Sequence, residues 1–244
     1  MIKQLSLLFT ISLSSFCFAT SDNTESNSLV VKPFKAEYTL LRKSDPVGVG
    51  YRELRQNQDG SYAFNYHTDI EWFIFSDTRN ESSTLSITDN KVTPITYEFT
   101  REGTGKDKHY AWQYDVPAKQ ATNLKSKQIK SVPFPDNIQD KLSYHLQHRL
   151  NLISNPEQQQ FVYPVIGTSG SIKNYVYEYD GEEDLMLPYG LVKTIRLKRE
   201  VVEKKRITYA WFAPELDYMM VKLYQIKGGV EQFEAQLNKV SYPN

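Results

Sequence analysis

Tyr62-Ala63-Phe64-Asn65-Tyr66-His67-Thr68-Asp69-Ile70-Glu71-Trp72 alternates in a way that points to a β fold for this chain. Tyr62, Phe64, Tyr66, Thr68, Ile70 and Trp72 are large or β-branched, whereas Asn65, His67, Asp69 and Glu71 between them are polar. Alternation at period two over this length specifies a long strand with one dry face. Asp59-Gly60, just before it, is a hairpin turn signal. The same alternation recurs in Phe34-Ala36-Tyr38-Leu40, Ile95-Tyr97-Phe99 and Tyr110-Trp112-Tyr114-Val116. It returns in Phe161-Tyr163-Val165, Tyr175-Tyr177-Tyr179 and Ile207-Tyr209-Trp211. Asp89-Asn90, the glycines at 103 and 105, those at 167 and 170, and Gly228-Gly229 punctuate these runs. The spacing predicts about a dozen antiparallel strands.

One segment departs from period two. Between 136 and 154 the apolar residues Ile138, Leu142, Leu146, Leu150 and Ile153 follow steps of four, four, four and three, the stripe of a helix. Pro133 and Pro135 stop the preceding strand, Asp136 with Gln139 forms a capping-box pattern, and Asn155-Pro156 ends the helix. A lone amphipathic helix must bury its stripe, and a curved sheet is the partner at hand. A dozen strands in one open sheet would curl. The expected fold is mainly β: a strongly curved antiparallel sheet or open β-barrel, with one amphipathic helix, at about 137–153, packed on its concave face. The expected organisation is a signal peptide at 1–19, a polar lead-in at 20–32 and a single β-rich domain at 33–244.

The amino terminus reads as an address. Lys3 is followed by an apolar stretch over 5–18, and Cys17-Phe18-Ala19 places small residues where a signal peptidase cuts. Cleavage is expected after Ala19, which gives a periplasmic protein without a transmembrane segment in its mature chain. Lipidation of Cys17 is disfavoured by the bulky Phe16 before it. Cys17 is the single cysteine, so a disulfide framework or a thiolate zinc site is excluded. The 244 residues are 40% hydrophobic and 24% charged, with 29 basic and 29 acidic side chains. Such a chain is globular, and it lacks the basic footprint of a nucleic-acid binder.

Catalytic chemistry is not visible. His145 and His148 lie three apart on the expected helix, but no further ligand stands near them in sequence, so they read as a packing histidine beside a surface one. Gly167-Thr168-Ser169-Gly170-Ser171 joins two β segments and lacks the strand-to-helix turn of a serine nucleophile elbow, so it reads as a hairpin loop. Asp180-Gly181-Glu182-Glu183-Asp184 lacks calcium-loop spacing and reads as a solvated turn. The basic-rich run over 198–206 reads as a hairpin tip whose lysines protect a sheet edge. Tyrosine is the anomaly, at 17 residues. Tyrosine combines an apolar ring with a polar tip, which suits both pleated surfaces and the wall of an apolar cleft.

Several stretches resemble an exported bacterial family labelled only as a domain of unknown function. They are Arg79-Asn80-Glu81-Ser82-Ser83-Thr84-Leu85 through Pro94-Ile95-Thr96-Tyr97; Asp140-Lys141-Leu142 through Leu150; Tyr177-Glu178-Tyr179-Asp180-Gly181-Glu182-Glu183 with Leu187-Pro188-Tyr189-Gly190; and Thr208-Tyr209-Ala210-Trp211-Phe212-Ala213-Pro214-Glu215-Leu216. The resemblance covers nearly all of the chain after residue 33. It implies an open barrel or half-barrel with a helix, similar in shape to carriers of the LolA/LolB type, which shelter acyl chains. It supplies no catalytic residues.

The expected function is therefore a non-catalytic periplasmic binding or chaperone-like module, not an enzyme, without a cofactor or a metal. Its partner would be a lipid or other apolar ligand, or an envelope protein. The ligand-binding candidates are the strand aromatics Trp72, Tyr97, Trp112 and Tyr114, facing Leu142 and Leu146 of the helix. The alternative is a structural or protein-interaction module of the envelope, with a filled barrel and no ligand.

Overall fold

The computed structural model describes residues 31–131 and 134–243. The signal-peptide reading, most of the lead-in and Pro133 lie outside the described residues. The period-two runs become two antiparallel meanders. The first comprises β1 (Phe34–Arg42), β2 (Asp45–Gln56), β3 (Tyr62–Trp72), β4 (Phe75–Thr88), β5 (Lys91–Gly103), β6 (Lys108–Asp115), β7 (Gln120–Asn123) and β8 (Ile129–Ser131). Then comes α1 (Ser143–Ser154). The second meander is β9 (Gln160–Ile166), β10 (Ile172–Leu187), β11 (Gly190–Val201), β12 (Arg206–Ala213), β13 (Met219–Lys227) and β14 (Val230–Ser241). Pairing of β1 with β14 fuses them into one sheet of fourteen strands, in the order β8-β7-β6-β5-β4-β3-β2-β1-β14-β13-β12-β11-β10-β9.

The sheet curls but does not close, since β8 and β9 remain its two edges. Glycines allow the bend. A side chain on Gly48 of β2 would stand 2.1 Å from the carbonyl oxygen of Asp69 in β3, so the strands can approach there only without one. The curl brings β6 to the β9–β10 turn, where Trp112 Nε1 donates to Thr168 O at 3.2 Å. The turn signals behave as read: Asp89 and Asn90 both take positive φ between β4 and β5, as do Gly228 and Gly229 between β13 and β14.

The helix starts later than its apolar spacing suggests, at Ser143 and not near 137. Gln139 is held by the edge of the sheet instead. Its N–H donates to Pro164 O and its carbonyl accepts from Ile166 N, both at 2.9 Å, in a parallel bridge to β9. A residue held by two strand bonds cannot also turn a helix, and the bridge covers part of the β9 edge. Leu142 is the cap position, and Asp140 just before it holds the turn that leads in: its Oδ1 accepts the N–H groups of Leu142 and Ser143 at 2.7 Å, while Ser143 Oγ accepts the Asp140 N–H at 2.9 Å. The other carboxylate oxygen accepts Ser83 Oγ from β4 at 2.5 Å.

Once docked, α1 is enclosed rather than laid on a surface. Tyr144, Leu146, His148, Arg149, Leu150 and Leu152 are all buried, so more than the single expected stripe faces protein. The helix side chains meet Phe34, Phe64, Phe161, Tyr163, Tyr177 and Phe212. Arg149 donates from Nε to Asp217 O at 2.7 Å, and Gln147 accepts the Val92 N–H at 2.7 Å. The helix thus fills one end of the half-barrel and ties the meanders together.

Candidate functional site

The end of the sheet away from α1 is not filled. There the inward side chains of β1, β2, β3, β4 and β5, with those of β12, β13 and β14, surround a cleft of about 650 Å³. Its position follows from strand parity. On β1 the inward series runs from Phe34, Tyr38 and Leu40 to Arg42, and on β3 from Phe64, Tyr66 and Thr68 to Ile70 and Trp72. The first members of each series pack near the helix, and the last ones line the cleft.

The lining has two characters. Leu40, Val47, Ile70, Trp72, Phe75 and Phe233 give an apolar wall. Arg42, Arg79, Arg101 and Arg206 give a cationic one, with Asp77 as the single acid in the lining. Asp77 lies between two arginines. Arg79 Nε and Nη2 reach its two oxygens at 2.6 and 3.1 Å, and Arg101 Nε donates at 2.8 Å. Burial alone would push this carboxyl up, but the hydrogen bonds and charges of Arg79 and Arg101 outweigh it and hold it below the usual aspartate range. Arg42 and Arg206 have no such partner at Nε, where each is buried without a hydrogen bond. The guanidinium of Arg42 lies over the Trp72 ring at 4.5 Å. The cleft therefore has more positive charge than its own residues neutralise.

The sequence-selected residues divide between the two ends. Trp72 lines the cleft. Tyr97, Trp112, Tyr114, Leu142 and Leu146 come together in the packed core at the helix end. The space left beside Leu146, between sheet and helix, is about 20 Å³, enough for one water and not for a ligand. The ligand space expected between sheet and helix is thus filled by side chains, and the open cleft is at the opposite end. Tyr97 donates its hydroxyl to Glu81 at 2.8 Å, and burial, with the Glu81 charge beside it, pushes that hydroxyl far above the usual tyrosine range.

Other sites also differ from their sequence reading. His148 is 2% exposed, not a surface residue. Its ring lies 4.8 to 5.3 Å from those of Phe161, Tyr163, Tyr177 and Phe212, and both ring nitrogens lack hydrogen bonds. Burial pushes its pKa down to about 3. The 180–184 acidic run is not a turn but a bulged part of β10, with Gly181 at φ 110°. Arg196 binds Asp180 at 2.8 Å and Glu183 at 3.0 Å, and Glu183 also accepts Trp211 Nε1 at 2.6 Å. Among the described residues no group of three or more His, Cys, Asp or Glu is placed to hold a metal ion. No helix among them is long and apolar enough to cross a membrane.

The four arginines escaped sequence reading because they come from β1, β4, β5 and β12. A faint signal exists in β4, where Asp77, Arg79 and Glu81 occupy the same parity as the buried Ser83 and Leu85. Charged residues on a dry-face parity mark a place where that face meets something polar.

A family model described as "Protein of unknown function (DUF3108)" matches residues 38–234, and the chain belongs to that family. No curated protein matches it. Among solved structures, a β-barrel-like protein of domain of unknown function DUF1849 from Brucella abortus superposes with a TM-score of 0.61 at 10% identity. That alignment covers 88% of this chain and 99% of the other, and it shows a shared fold. MucB in complex with MucA(peri) aligns only loosely, with a TM-score of 0.32 at 8% identity over 87% of this chain and 52% of that one.

Proposed function

We propose that this DUF3108-family chain is a non-catalytic binding module of the cell envelope that holds an anionic amphiphile in the cleft opposite α1. The observation that carries this reading is the lining itself: an apolar wall facing four arginines and one aspartate. An alkyl chain would lie against Leu40, Val47, Ile70 and Phe233. A carboxylate or phosphate would take the guanidinium groups of Arg42 and Arg206, whose Nε atoms have no hydrogen bond within the protein, since charge-assisted hydrogen bonds are strong. The volume falls within the range of small-molecule sites, about 300–1,000 Å³, and leaves room for a single alkyl chain with its head group. A periplasmic location rests on the signal-peptide reading of residues 1–19.

Catalysis is not part of this reading. Asp77, the one carboxyl in the lining, is held ionised by Arg79 and Arg101 and is already occupied by them, so it is poorly suited to move protons near neutral pH. The filled helix end suits a purely structural module, but the open charged end does not.

The test is a displacement titration of a fluorescent long-chain fatty acid from the purified protein. Competitors of equal chain length carry a carboxylate, a neutral alcohol or a quaternary ammonium head. The carboxylate should compete best and the ammonium worst, and Arg42→Gln with Arg206→Gln should erase the difference. Equal competition by all three heads, or no binding of the probe, overturns the proposal.

A further inference from the structure

Beyond the cleft, the β3–β4 hairpin ends in Trp72-Phe73-Ile74-Phe75. Phe73 is 90% exposed, Ile74 83% and Phe75 55%. Trp72 pairs directly with Phe75, so Phe73 and Ile74 form a two-residue turn. Phe73 adopts φ 56° there, a conformation that turn chemistry assigns to glycine or asparagine. A bulky residue at such φ costs stability locally, so folding gives no reason for two large apolar side chains at this point.

The surroundings identify what the tip meets. It is a projecting point, not a groove or a flat patch. The ring that touches Phe73 is Trp72 at its base, 5.2 Å away and edge-on. Two side chains cannot supply the roughly 800 Å² per partner of a stable protein interface, but they are sufficient as a wedge into the interfacial layer of a bilayer, where aromatic residues concentrate. Neighbouring turns at the same end bring charge of one predominant sign. Thr104 of the β5–β6 turn is hydrogen-bonded to Ile74 O and Ser76, and Gly228 of the β13–β14 turn to Lys205 O in the β11–β12 turn. These turns and the β1–β2 turn carry Lys43, Lys106, Lys204 and Lys205 against Asp107 and Glu203, in a chain of zero formal net charge. That local excess complements anionic lipid headgroups.

We propose that the Phe73-Ile74 tip inserts into the interfacial layer of an anionic lipid membrane and docks the protein there through the lysine-bearing turns around it. Trp72 and Phe75 belong both to the hairpin end and to the cleft lining, so docking sets the cleft mouth against the lipid surface. The inference stands on the tip and its turns, and it does not require that the cleft hold a ligand.

The experiment is co-sedimentation of the purified protein with two kinds of vesicle, phosphatidylethanolamine with phosphatidylglycerol, and phosphatidylcholine alone. Wild type should bind the anionic vesicles more tightly than the neutral ones, with the preference lost at high salt. The double variant Phe73→Gly, Ile74→Ser supplies the residue types the turn favours, so its melting temperature should not fall. Its binding to anionic vesicles should weaken by at least about tenfold, from the lost burial of two large apolar side chains. Fatty-acid binding in the cleft, measured without vesicles, should be unchanged in this variant, so failure of the docking and failure of the cleft reading give separate results. Vesicle binding equal to wild type in the folded variant overturns the proposal. Wild type ignoring both vesicles also overturns it and leaves a protein as the tip's partner.

Discussion

Replacing His148 with phenylalanine should make the protein less sensitive to acid. The imidazole is 2% exposed in an aromatic cage, with both nitrogens unpaired. Burial lowers its pKa from the ordinary 6.5 to about 3. The folded value lies below the unfolded one, so the stability is fully present above pH 6.5 and is lost as pH falls toward 3, because only the unfolded chain takes up the proton. The gap between pH 6.5 and pH 5 corresponds to roughly 2 kcal/mol at 1.36 kcal/mol per unit. Asp140 works the other way. Burial outweighs its hydrogen bonds and raises its carboxyl to about 6, so its protonation on acidification restores stability in part of the same window. The comparison of variant with wild type cancels Asp140 and isolates His148. Urea unfolding followed by tryptophan fluorescence at pH 7.5 and pH 5 would measure it. The stability difference in favour of His148→Phe should grow by roughly 2 kcal/mol between the two pH values. Parallel pH profiles would refute the burial of a neutral imidazole.

Leu146→Ala should cost about 2–5 kcal/mol, since Leu146 is 1% exposed beside residual space too small for a ligand. Fatty-acid affinity of the remaining folded fraction should not change, and an affinity loss at constant melting temperature would place the ligand against the helix after all. Gly48→Ala should destabilise by about 1–3 kcal/mol, because its new carbon would press on the Asp69 carbonyl and force β2 from β3. An unchanged thermal melt would show that the bend does not depend on that close approach.

The strand pattern was legible because parity is a local property. One face of β3 was readable from Tyr62 to Trp72 without reference to any other strand. The helix start was not legible, because Ile138 and Leu142 mimic a helical stripe while Gln139 is bound to β9, a contact made only after folding. His148 reads as a surface residue for a related reason: a helix wrapped by a curled sheet buries faces that a helix on a flat surface would expose. Of the candidate site residues, Trp72 lies in the open cleft, whereas Tyr97, Trp112, Tyr114, Leu142 and Leu146 fill the core. Aromatic character marks an inward face but does not tell which end of that face is filled. The arginines gather from four strands across both meanders, so no window of sequence contains them. The tip was hidden because Phe73-Ile74 lacks turn residues and continues the apolar run.

Native mass spectrometry of the protein, purified from cell envelopes without detergent, would show whether the cleft holds a ligand when wild type is compared with the Arg42→Gln, Arg206→Gln variant. Wild type should carry an adduct of lipid size that organic extraction releases as an anionic amphiphile, and the variant should carry little or none. A bare polypeptide mass for wild type, or an adduct equally retained by the variant, would contradict an arginine-lined ligand cleft.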